Sequence, residues 1–182
     1  ISAANLTGIG IRVVVWGQGD PGTGNQTRVT TKYDCTVSDI EDLKTWLHAV
    51  DVYMATDFVT GVEHALTFFD SETPRTNLMF FVTDGGPNPG TSDDTAAALI
   101  SDLLDTTTSP YSEEEGTAVY IYGINIDLED TSHTAKIDNT ADDGVPVLDG
   151  TNSEEFTSVV DAPLNPESSS PVMNSAHIIR AC

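Results

Sequence analysis

Apolar residues along this chain follow two rhythms. Residues 11–16 form a β-branched run, a Gly-, Asp- and Pro-rich stretch covers 17–25, and residues 28–33 alternate, which predicts a strand, a turn and an antiparallel second strand. Ile40, Leu43, Leu47 and Val50 then recur at helical spacing behind Ser38 and Glu41, a capping-box pair. A second helix is expected from Thr56 and Asp57, with Phe58, Val62, Ala65, Leu66 and Phe69 as its apolar stripe. Residues 78–82 are continuously apolar, as in a strand covered on both faces. A sharp Gly/Pro-rich loop follows, and Ser92 or Asp93 caps a helix carrying Ala97, Leu99, Ile100, Leu103 and Leu104. Residues 105–116 read as a loop and 118–126 as a second buried strand. A short helical stretch at 134–140, a short strand at 145–148 and a helix at 153–160 complete the series, before a Pro/Ser-rich linker at 162–171.

Strands that alternate with helices, two of them apolar on both faces, predict a three-layer, doubly wound, Rossmann-like α/β sheet that is mostly parallel with one antiparallel edge hairpin. In such sheets ligands bind beyond the C-terminal ends of the strands. The loops there are the place to look for function.

Charge narrows the classes. The 182 residues carry 7 Lys+Arg against 29 Asp+Glu, a formal net charge of −22, which excludes a nucleic-acid binder that works through a basic surface. No apolar run approaches the roughly 18 residues of a membrane span. The first residues lack an initiator Met and a leader pattern, so the chain is expected to be a slice of a larger protein. Cys35 and Cys182 are too few for a disulfide scaffold and lack metal-ligand spacing. The Gly-rich residues 17–25 read as a hairpin turn and not as a phosphate loop, because no helix follows directly and the surroundings are acidic. With His48, His64, His133 and His177 on or beside different elements and no GxSxG, an enzyme is the least favoured class.

Thr56 and Asp84 carry the candidate chemistry. One opens a helix and the other ends the most apolar strand. A hydroxyl and a carboxylate converging on one crevice suit a hard divalent cation, Mg2+ or Ca2+. The stretch Ala55-Thr56-Asp57-Phe58-Val59-Thr60-Gly61-Val62 followed by Met79-Phe80-Phe81-Val82-Thr83-Asp84-Gly85-Gly86-Pro87 resembles the von Willebrand factor A (vWA) domain family, bacterial or phage type. That resemblance extends to Tyr122-Gly123-Ile124 and implies a metal-ion-dependent adhesion site (MIDAS). In that site a Thr and an Asp, here Thr56 and Asp84, join an Asp-x-Ser-x-Ser loop that follows a central first strand. Asp57, Asn88 and Asp93 are the expected ligand-binding rim.

The chain departs from the family at its start. No first strand and no Asp-x-Ser-x-Ser precede Ile11, and Asp130-Thr131-Ser132-His133-Thr134, which comes near the pattern, follows the wrong strand and reads as a turn and helix cap. A slot is therefore expected between residues 11–16 and 78–82. Its expected occupant comes from outside 11–162: an upstream segment, a partner chain, or, more remotely, residues 178–179. The C-terminal Asn174-Ser175-Ala176-His177-Ile178-Ile179-Arg180-Ala181-Cys182 resembles a segment of tail-tip attachment proteins of tailed phages, with Ser175 where they have Pro. Two segments are expected, a vWA-like domain at 1–162 and a linker and C-terminal piece at 163–182. Together these resemblances imply a non-enzymatic adhesion module on an extracellular or virion surface, with a host-recognition role. It would meet a protein or glycan on a cell surface, or neighbouring subunits of an assembly. The alternative is a metal-free structural or decoration domain.

Overall fold

The computed structural model describes residues 10–18, 27–35, 39–50, 56–69, 71–72, 76–88, 90, 92–105, 109–112, 116–126, 129–140, 147–151 and 173–181. Of the turn expected at 17–25, Gly17 and Gln18 belong to the first strand, and its remainder, the Ser38 cap, the helix at 153–160 and the linker at 162–171 lie outside the described residues. In chain order the elements are β1 (Gly10–Gln18), β2 (Thr27–Cys35), α1 (Ile40–Ala49), α2 (Phe58–Leu66), β3 (Thr76–Thr83), α3 (Ser92–Leu103), β4 (Val119–Asn125), α4 (Ser132–Ala135), β5 (Leu148–Asp149) and β6 (Met173–Ala181). They make a mixed α/β fold around one six-stranded sheet of order β2-β1-β6-β3-β4-β5. Only β2 runs antiparallel, hydrogen-bonded to β1 as the expected edge hairpin.

The alternation of side chains across the strands divides the core. Val14 and Trp16 of β1, Met79 and Phe81 of β3 and Ile121 of β4 share one face with Phe58, Val62 and Ala65 of α2 and Ala96 and Ile100 of α3. Each fully buried large apolar side chain there contributes about 1.5–3 kcal/mol. On the other face Val13 and Val15 pack with Leu43 of α1, while Leu78, Phe80, Tyr122, Ile124 and Leu148 form a second cluster. Helices therefore lie on both faces of the sheet. Trp16 is the centre of the first cluster, with Phe81 at 5.2 Å between ring centroids and Phe58 edge-on to Phe81 at 4.8 Å. Gly61 is where α2 comes nearest. A Cβ at that position would overlap the Trp16 indole ring, so only glycine allows this approach.

The slot between β1 and β3 is filled by β6, from outside 11–162. Parallel to both neighbours, β6 pairs Ile178 with Val13 and Phe80, and Ile179 with Val14 and Phe81. The most remote of the expected occupants is thus the one that closes the sheet, and the central strand is not absent from this chain. It is supplied by its C-terminal stretch. Residues 163–182, expected as a linker and C-terminal piece, contribute a nine-residue strand to the same sheet. The energetic reason is that two facing strand edges with no occupant would leave a row of backbone groups unpaired, at about 1–3 kcal/mol for each buried one.

The far edge is closed differently. β5 pairs with β4 only at Ile124 and Asn125. Below that, side chains from the turn after α4 stand in for a strand. Asn139 Oδ1 accepts from Ile121 N (2.6 Å), Asn139 Nδ2 donates to Val119 O (3.0 Å) and Asp138 Oδ2 accepts from Gly123 N (2.7 Å). These bonds use up the free edge of β4 and deny it to another chain.

Two helix starts differ from expectation. The helical stretch expected at 134–140 begins earlier, at Ser132, and Asp130 accepts from Ser132 N (2.9 Å), the turn read from the sequence. Ser92 and Asp93 are not caps but lie inside the first turn of α3. Ser92 Oγ instead accepts from Phe58 N (3.2 Å), one of the amides at the start of α2 that has no partner within its own helix.

Candidate functional site at the C-terminal ends of the strands

β1, β6, β3 and β4 run the same way, so the segments following β3 and β4 and those preceding α2 and α3 gather at one end of the sheet. Thr56, just before α2, is buried, and its carbonyl accepts from Asn88 N (2.7 Å). A Cβ on Gly85 would stand 3.0 Å from Thr56 Oγ1, so the hydroxyl lies against the turn that begins at Asp84. That turn is tied to its strand by Thr83, whose Oγ1 donates to Gly85 O (2.8 Å) and accepts from Gly85 N (3.2 Å). Asp84 itself is exposed. The loops of Thr56 and Asp84 meet.

The rim residues have different fates. Asn88 is exposed, on the same loop as Asp84 and tied by its amide to Thr56 O. Asp57 is the N-cap of α2, with Oδ1 accepting from Val59 N (3.2 Å) and Oδ2 from Thr60 Oγ1 (2.9 Å), so its carboxylate serves the helix. Asp93, expected on the exposed rim, is instead buried, its side chain 1% accessible. It faces α4, where Lys136 Nζ donates to Asp93 Oδ2 (2.8 Å) and His133 Nδ1 lies 2.8 Å from the same oxygen. Lys136 also reaches Asp94 Oδ1 at 2.6 Å. A carboxylate on the first turn of α3 already suits the positive end of the helix dipole, and the Lys136 ammonium at the end of α4 adds a charge-assisted hydrogen bond.

Burial by itself raises the Asp93 carboxyl. The hydrogen bonds from Lys136 and His133 outweigh it and leave the pKa lowered from 3.8 to about 2. Those to Asp93 and then Asp94 raise the Lys136 ammonium above its ordinary 10.5. Neither His133 nor Lys136 belongs to the site expected from sequence. The available signal was scarcity: in a chain with 7 Lys+Arg and 4 His, a His-x-x-Lys within one short helix and its cap is a notable concentration.

Beneath these loops is a layer of buried polar side chains. Thr134 Oγ1 donates to Asn125 Oδ1, which joins α4 to the end of β4. Among the described residues, Asp93 Oδ1, Asn125 Nδ2 and Trp16 Nε1 are buried side-chain atoms with no hydrogen-bond partner. Such a group costs about 1–3 kcal/mol.

For a metal ion, the donors expected from the sequence are the Thr56 hydroxyl and the Asp84 carboxylate. They are hard oxygens of the right kind, but no group of three or more His, Cys, Asp or Glu side chains gathers among the described residues. A divalent cation with six or more oxygen ligands would draw its remaining ligands from water or from a bound partner. No family model, no curated protein and no solved structure matches this chain.

Proposed function

We propose that this chain is a vWA-like binding module, not an enzyme, within a larger extracellular or virion-surface protein. Its partner-facing surface is the loop cluster beyond the C-terminal ends of the strands. The observation that carries this reading is the meeting of Thr56 with the turn that starts at Asp84. These are the two positions at which the sequence resembles a MIDAS. The strand order adds support, because a parallel strand lies between β1 and β3, where the resemblance implies a central strand. In this reading Thr56 and Asp84 hold Mg2+ or Ca2+, and an open coordination position takes a carboxylate or other oxygen from a protein or glycan on a cell surface. Asn88 borders the site, Asp57 orients α2 beneath it, and Asp93 supports it from within the core. The ion bridges a module of net charge −22 to partners it would otherwise repel.

A metal-free structural or decoration domain is the second reading, favoured by the observation that no three His, Cys, Asp or Glu side chains gather among the described residues. Calorimetric titration of Mg2+, Ca2+ and Mn2+ into wild type and Asp84→Ala separates the two, together with attachment to target cells with and without chelator. The adhesion reading expects weak divalent binding that Asp84→Ala abolishes at unchanged melting temperature, with attachment lost in chelator. Equal attachment in all four conditions would establish the structural reading, and turnover of a substrate would establish an enzyme.

A further inference from the structure

The described fold opens with β1 and closes with β6, and these two strands are sheet neighbours. They run parallel, in register from Gly10 with Ser175 to Trp16 with Ala181. Because they are parallel, the point where the chain enters β1 and the point where it leaves β6 lie at opposite ends of one ladder, about 20 Å apart for seven paired residues. Tension applied through the two chain ends therefore pulls β1 and β6 past each other along their length. Hydrogen bonds between parallel strands are evenly spaced. All of them along the ladder take the load at once, and none can be peeled before the rest.

A second set of contacts must break in the same event. β6 is also paired with β3, in unbroken register from Asn77 with Ser175 to Val82 with Arg180, after a shift next to the Thr76–Met173 pair. β1 and β3 are joined over β6 by Trp16 against Phe81, and α2 buries Phe58, Val62 and Ala65 in the same cluster. If β3 stays with β1, β6 has to shear along both of its edges. If β3 follows β6, the Trp16 cluster has to come apart. In neither case does the sheet yield one bond at a time.

We propose that the domain is a tension-bearing link, in which β6 between β1 and β3 is a shear clamp that holds when the two chain ends are pulled apart. The inference rests on strand order, strand direction and the Trp16 cluster and is independent of the metal site. It adds a mechanical role to the binding role, since an attachment module transmits the force of whatever it holds.

Pulling single molecules of the full chain in two directions tests it, both in a Cys35→Ser background. In one, handles are attached through Ile1→Cys and Cys182, which loads β1 and β6 in shear. In the other, handles at Gln18→Cys and Cys182 pull the two strands from the same end and unzip them. Forced unfolding is governed by the unfolding barrier, and the shear direction is expected to shift the unfolding force upward at the same loading rate, because the ladder bonds share the load there and are broken in turn when unzipped. Equal forces in the two directions, or a lower force through the chain ends, would overturn the proposal.

Discussion

Asp93→Asn tests the idea that a buried, doubly partnered carboxylate holds α3 against α4. With 3.8 for the unfolded chain and about 2 for the folded one, the ionised group contributes about 2 kcal/mol to stability at neutral pH. Because the folded value is the lower one, that contribution is complete above the unfolded pKa and disappears as the pH falls from about 4 toward 2. Asn keeps the shape and cannot ionise. In urea unfolding at a series of pH values, wild type should exceed Asp93→Asn by about 2 kcal/mol at pH 7, and the gap should close as the pH approaches 2. Taking the difference between the two proteins at each pH removes the titration of the other acidic residues. A gap that is the same at pH 7 and pH 2.5, or no gap at pH 7, would refute the reasoning. Lys136→Met makes the complementary perturbation by leaving the buried carboxylate with His133 alone. Since Lys136 is 40% exposed and water replaces part of what it supplies, the protein should be destabilised, but by less than when a fully buried pair is broken. The double variant Asp93→Asn/Lys136→Met should recover part of that loss.

Gly61→Ala should drive a methyl group into the Trp16 ring and cost about 1–3 kcal/mol or more by thermal or urea unfolding, with a change in tryptophan fluorescence. An unchanged melting temperature would mean that α2 does not approach β1 as closely as described. Asn139→Leu removes both side-chain bonds to the β4 edge. It should lower stability by about 1–3 kcal/mol and increase concentration-dependent association in sedimentation experiments; a monomer as stable as wild type would show that the edge needs no cover.

Local signals carried much of the fold. β1, α1, α2, β3, α3 and β4 were legible because each depends on its own residues: β-branched or continuous apolar runs for strands, and apolar repeats every three or four positions for helices. The turn at Asp130 and the cap at Asp57 were readable for the same reason, since an Asp side chain bonding two residues ahead is a local event. Thr56 and Asp84 could be picked out because each lies at a boundary between elements, next to a loop at the same end of the sheet.

The sequence by itself therefore determined the kinds of element, their order, the acidic surface and the two loops that meet. The expectation that something lies between β1 and β3 came instead from the family resemblance, which implies a central first strand that does not precede Ile11. Only the tertiary structure decided that β6 is the occupant. A parallel strand is set by pairing with distant edges, and its own residues carry no mark of which edges those are. Tertiary packing also turned Asp93 from a rim residue into a buried ion-pair partner and gave Ser92 to the amide of Phe58 instead of to its own helix. An acidic or hydroxyl side chain at a helix start has the same local pattern in either role. What settles the choice is whether a second helix brings a lysine, or an unpaired amide, within reach.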